Sequence, residues 1–162
     1  MYRTGHYGVS LLLYAPVGAA LVLADATVFA LVGGAVVLGL TPLPDYDLRV
    51  PFIPHRGPTH SFVFAAFVGA VVGAAGFYGA PQLGLDPQTL GTFGFAMGAF
   101  AIVGHLAGDV ITPMGIEPFW PLSSKNFSLR LTTADNRFWN WGLLTLGVFV
   151  TVVTVGLLVQ SP

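Results

Sequence analysis

The chain has 162 residues, enough for one compact domain, and 54% of it is hydrophobic against 8% charged. Soluble domains carry about 25% charged residues, so this deficit, with a mean hydropathy of +0.77, excludes an ordinary water-soluble fold. A net charge of -1 offers no cationic footprint for nucleic acid, and the absence of cysteine excludes disulfides, thiolate metal sites and cysteine nucleophiles.

A membrane-spanning helix needs about 20 mainly apolar residues. Five segments reach or approach that length: 7–24, 26–43, 61–79, 91–111 and 141–159. The first reads as a retained helix rather than a signal peptide, because the apolar pattern resumes directly after Asp25. The first two are short and meet tightly around Asp25, so they form two thin spans or one hairpin that does not fully cross. Five spans is the reading adopted, with four as the alternative. The expected fold class is an all-α, polytopic membrane helix bundle, forming one integral membrane domain over residues 1–162. Glycines recur inside the spans, and the pair Gly69 and Gly73 has the spacing that lets helix backbones approach closely in lipid. Close packing within one bundle accounts for them without a dimer face, and nothing in the pattern specifies an oligomer.

Threading five spans puts the segment ends into register. Arg3, Arg49, Arg56, Lys125, Arg130 and Arg137, the full set of Lys and Arg, fall on one side of the membrane. The positive-inside rule makes that side cytoplasmic, with the N-terminus inside and the C-terminus outside, as for a multi-pass protein of the cell's inner (plasma) membrane. The fourth span stops at Thr112-Pro113-Met114-Gly115, where proline removes a donor and a turn follows. A polar cytoplasmic loop then occupies about 112–140, and Trp120, Trp139 and Trp141 suit the headgroup level.

The same threading gathers all four histidines, His6, His55, His60 and His105, on the cytoplasmic side. Asp45, Asp47, Asp109, Glu117 and Asp135 join them, and only Asp25 and Asp86 do not. His105 and Asp109 stand at i and i+4, on one helix face, where a carboxylate in an apolar segment needs a partner or a cavity. In His55-Arg56-Gly57-Pro58-Thr59-His60-Ser61, Gly57 and Pro58 make a turn that can fold His55 toward His60, and Thr59 can cap the next helix. Arg56 can bind phosphate or steady a developing anion, or simply anchor the loop inside. Asp45 and Asp47, in Leu43-Pro44-Asp45-Tyr46-Asp47, share one side of an extended chain, a spacing that clamps cations. Imidazole and carboxylate donors from four segments describe a hydrolytic site for one or two divalent metal ions. Spacing alone leaves open which carboxylate binds metal and which acts as base, with Asp47 and Arg56 the candidates for catalysis.

The elements Gly5-His6, Leu43 to Asp47, His55 to Ser61, Gly104 to Gly115 and Trp120-Pro121 resemble the YdjM-type membrane-bound metal-dependent hydrolases, a family with a LexA-regulated member. The resemblance runs in order from residue 5 to about 123. It implies a membrane hydrolase whose metal, zinc by expectation, is held among His6, Asp45, Asp47, His55, His60, His105 and Asp109. A distant similarity to the zinc-dependent phospholipase C group implies a phosphoester or lipid-headgroup substrate. Family members often carry a histidine directly after the LPDxD element, where this chain has Leu48. The alternative reading is a non-enzymatic membrane protein that binds, senses or carries a divalent metal. Its polar residues cluster at one end of the spans, whereas a transport path places them at mid-depth.

Overall fold

The computed structural model describes residues 1–160, and among them every regular element is helical. Five α-helices follow in chain order: α1 (Arg3–Leu23), α2 (Thr27–Leu40), α3 (Phe62–Gly79), α4 (Pro87–Val110) and α5 (Arg137–Gln160). All are long and apolar enough to cross a membrane, provided α2 is followed through its 3-10 continuation to Arg49. With that continuation α2, which has only 14 residues of α-helix, is also long enough for a fifth span. Further 3-10 turns occupy Pro58–His60 and Ala80–Leu83.

α4 is central and packs on α1, α2 and α3, whereas α5 lies outside and packs mainly along α1. Glycine sets the approach of α3 to α4. A Cβ on Gly94 would lie 2.7 Å from the Val72 carbonyl oxygen, and one on Gly76 would lie 2.6 Å from that of Leu90. Gly69 and Gly73 face α4 of the same chain in the same way. Ala65, Val68, Ile102, Leu106 and Ile116 fill one side of α4, and Tyr14, Val37, Met97 and Ala101 fill the other. Where a polar tip enters this apolar depth it is satisfied: the Tyr14 hydroxyl donates to the Ala30 carbonyl at 2.6 Å.

The segment after α4 folds back on that helix. Leu129 N–H donates to the Val110 carbonyl at 2.7 Å and Leu131 N–H to that of Ile111 at 2.8 Å. These bonds satisfy carbonyls that a helix end otherwise leaves unpaired. A single antiparallel bridge, Ile116 with Phe127, holds the fold-back in place.

Candidate metal centre

α1 begins at Arg3, so His6 sits within its first turns, deeper in the bundle than a span starting at residue 7 would put it. Gly104 and Gly108 on α4 let α1 come close: a Cβ on Gly108 would stand 2.8 Å from His6 Nδ1. The His6 and His105 rings therefore stack, with centroids 3.7 Å apart and planes 5° from parallel. After α2, the 3-10 turn Pro44–Arg49 directs Asp45 and Asp47 inward. The turn Pro58–His60 brings His60 against His105, with ring centroids 5.0 Å apart. α4 supplies His105 and Asp109, both fully buried.

Four donor atoms converge at the centre. His60 Nε2 lies 3.2 Å from His105 Nε2, and each is 3.3 Å from Asp109 Oδ2. Asp45 Oδ1 lies 3.6 Å from His60 Nε2 and 3.5 Å from His105 Nε2. Hydrogen-bond partners fix the tautomers. His105 Nδ1 faces the Thr41 carbonyl at 2.8 Å, an acceptor only, so Nδ1 carries the proton. His60 Nδ1 lies 3.0 Å from the Thr59 hydroxyl oxygen, and that hydroxyl donates onward to Asp47 Oδ2 at 2.8 Å. His60 Nδ1 is therefore also the protonated nitrogen. With both rings neutral, the two Nε2 atoms present lone pairs to each other and to two carboxylate oxygens. Asp109 Oδ2 has no hydrogen-bond partner although it is buried.

Such an array needs positive charge at its middle, because buried lone pairs facing one another without a proton repel. An ion bound tetrahedrally at about 2.0 Å sets its ligands about 3.3 Å apart, close to every separation above. The residues therefore fit a divalent metal. The donor atoms of His6, Asp45, His105 and Asp109 lie within 4.8 Å of one another, and so do those of Asp45, His55 and His60, so Asp45 belongs to both groups. His6 Nε2 approaches the other two carboxylate oxygens, Asp109 Oδ1 at 3.6 Å and Asp45 Oδ2 at 3.9 Å.

Asp47 stands behind this cluster. Its Oδ2 accepts from the Thr59 hydroxyl and from Arg56 N–H at 3.2 Å, and its Oδ1 pairs with His55 Nδ1 at 2.9 Å. Thr59 thus serves Asp47 rather than the next helix, whose N-cap is Ser61, accepting from Phe64 N–H at 3.2 Å. The Arg56 guanidinium is turned inward. It donates to Asp109 Oδ1 at 2.6 Å, to Thr112 Oγ1 at 2.7 Å and to the Gly115 carbonyl at 3.1 Å, leaving Nε buried without a partner. A charged fork paired with Asp109 limits the cost of burying that carboxylate.

Of the seven proposed ligands, His6, Asp45, His60, His105 and Asp109 meet at the centre. His55 lies at the edge with its side chain 31% exposed, and Asp47 supports from behind. Beside His55 and Arg56 a pocket of about 230 Å³ opens, lined also by Tyr2, Thr112, Met114 and Asp135. Sequence reasoning missed Thr41 and Thr112, which orient His105 and Arg56. Their signal is a repeated Thr-Pro step, Thr41-Pro42 and Thr112-Pro113, at the ends of two helices.

Compared with protein-family models, the chain matches that of the YdjM inner membrane protein over residues 1–161. It belongs to that family. No curated protein and no solved structure matches the chain. The family match covers all five helices and thus places the protein in the inner membrane, extending well beyond the motifs between residues 5 and 123.

Proposed function

We propose that this family member is a metal-dependent phosphoester hydrolase with its centre at the cytoplasmic face of the membrane. One observation carries the reading: His60 Nε2 and His105 Nε2 lie 3.2–3.6 Å from each other and from Asp45 Oδ1 and Asp109 Oδ2, the last of which is buried without a hydrogen-bond partner. His60, His105 and Asp109, the fully buried members, would hold the ion and leave the position beside the more exposed Asp45 open to water, and imidazole with carboxylate suits zinc. A divalent ion bound there would supply Lewis acidity toward a phosphoryl oxygen and would acidify water. Asp47 anchors His55 through Nδ1, so the exposed His55 Nε2 is the atom that takes a proton from attacking water. As water adds to phosphorus and the ester P–O bond breaks, that proton passes to the departing alkoxide. The products are a phosphate and an alcohol. Arg56 compensates Asp109 rather than reaching for substrate. All Lys and Arg residues lie toward the same end as the cluster, which supports the cytoplasmic orientation.

A second reading has its own support. His6, His60, His105 and Asp109 are at most 1% exposed, and closed sites are characteristic of metal bound for structure or storage. Elemental analysis of purified wild type against His105→Ala and Asp109→Ala tests the centre itself. The expected result is about one to two equivalents of metal in wild type and little in either variant; unchanged content in both would refute the assignment. A phosphoester panel with and without chelator separates the two readings, since activity lost on chelation and regained with zinc marks the hydrolase. Bound metal without any turnover marks the storage or sensing protein.

A further inference from the structure

Residues 48–54 connect Asp47 to His55 and form a loop closed at its base by the site itself, through Asp47 Oδ1 with His55 Nδ1 and Asp47 Oδ2 with Arg56 N–H. All seven are exposed, and six are apolar. Phe52 is 101% exposed, Leu48 67% and Val50 45%. Phe52 also adopts φ 77°, a conformation unusual for a bulky residue, which holds the ring away from the protein. The single charge is Arg49, whose guanidinium lies 5.2 Å from the Tyr46 ring, with that of Arg3 5.9 Å from the same ring.

In water this loop would expose a contiguous apolar surface. It does not meet water on every side, however. The loop lies within the connection from one apolar element, Thr27–Arg49, to the next, which begins at Phe62 and whose outer residues Phe62 and Val63 are half exposed. The apolar tip thus continues the lipid-facing surface of the helices, and two arginines clustered on Tyr46 mark the level of phosphate headgroups at its base. Resting on the phosphoester reading above, we propose that the 48–54 loop inserts its apolar side chains into the cytoplasmic-side leaflet, and that the metal centre beside it takes a lipid phosphoester sideways from that leaflet. A soluble phosphoester would gain nothing from such a loop. A lipid keeps its acyl chains in hydrocarbon while the phosphate moves along the loop to His55.

The chain has no cysteine, so single-cysteine variants accept one label each. Nitroxide-labelled Val50→Cys and Phe52→Cys, in phosphatidylcholine–phosphatidylglycerol vesicles, are compared with Val71→Cys on α3 and Lys125→Cys in the polar segment. Relaxation by oxygen should exceed relaxation by a water-soluble nickel chelate at 50 and 52, as at 71. The pattern of residue 125 at both positions would overturn the insertion. This arm needs no activity, so it stands apart from the hydrolase reading. In the second arm, Phe52→Asp with Ile53→Asp should slow hydrolysis of dioleoyl phosphatidic acid in vesicles at least tenfold and leave dibutyryl phosphatidic acid within twofold. Equal loss on both substrates, or loss on neither, would overturn lateral entry even if the loop inserts. Turnover of neither substrate by wild type would overturn the substrate and the hydrolase reading together.

Discussion

Asp47 and Asp109 are both buried carboxylates, yet their neighbours assign them different work. Asp109 shares its oxygens among the Met1 amine, at 2.8 Å, the Arg56 guanidinium and the histidine Nε2 atoms, whereas Asp47 sees hydroxyl, backbone N–H and Nδ1 donors. Groups that orient metal ligands in this way typically contribute about 10–100-fold in affinity. Asp47→Asn should therefore keep the metal stoichiometry and weaken affinity by roughly that factor, measured by competition with a fluorescent chelator. Loss of all metal in this variant would make Asp47 a ligand. The distinction was not legible in the Asp-Tyr-Asp spacing, because it depends on a 3-10 turn that an extended reading of 45–47 does not contain. The gathering of the four histidines toward one end of the helices was legible, since counting spans needs only hydropathy. The inward turn of Arg56 was not, because its partners Thr112 and Gly115 lie more than 50 residues away in sequence.

At the scale of elements, lipid makes helix packing depend on small residues more than on apolarity, which the surroundings share. The spans were readable for the same reason: hydrocarbon demands long apolar runs. Which helix sits at the centre was not readable, since α3 and α4 have similar composition and only the glycine registry distinguishes the face they share. Gly94→Leu tests that registry. Its side chain would be forced against the Val72 carbonyl, and overpacking of this kind costs about 1–3 kcal/mol. The expected outcome is a lowered thermal midpoint in detergent, whereas Gly39→Leu, with open space around its Cβ, should leave the midpoint nearly unchanged.

Across the whole molecule, the centre ties the start of α1, the turn after α2, the turn before α3 and the end of α4 to one point. A ligand that binds only the folded chain stabilises it by about 2.7 kcal/mol at a hundred times its Kd. Zinc added to chelator-treated protein should therefore raise the thermal midpoint, and Asp109→Ala should show no such rise. An identical midpoint with and without zinc in wild type would tell against the centre joining the segments. α5 supplies no candidate ligand.

The same convergence has a consequence for biosynthesis. Residue 1 and Asp109 meet across 108 residues of chain, and His6 waits for nearly as many before His105 exists. At ribosomal speeds of about 5–20 residues per second, that interval is roughly 5 to 20 s. By its end α1, α2 and α3 have all been synthesised, yet His6, Asp45 and His60 still lack the partners that α4 brings. The centre is thus a late product of insertion, and an ion that needs Asp109 can be captured only after the fourth helix has entered the bilayer.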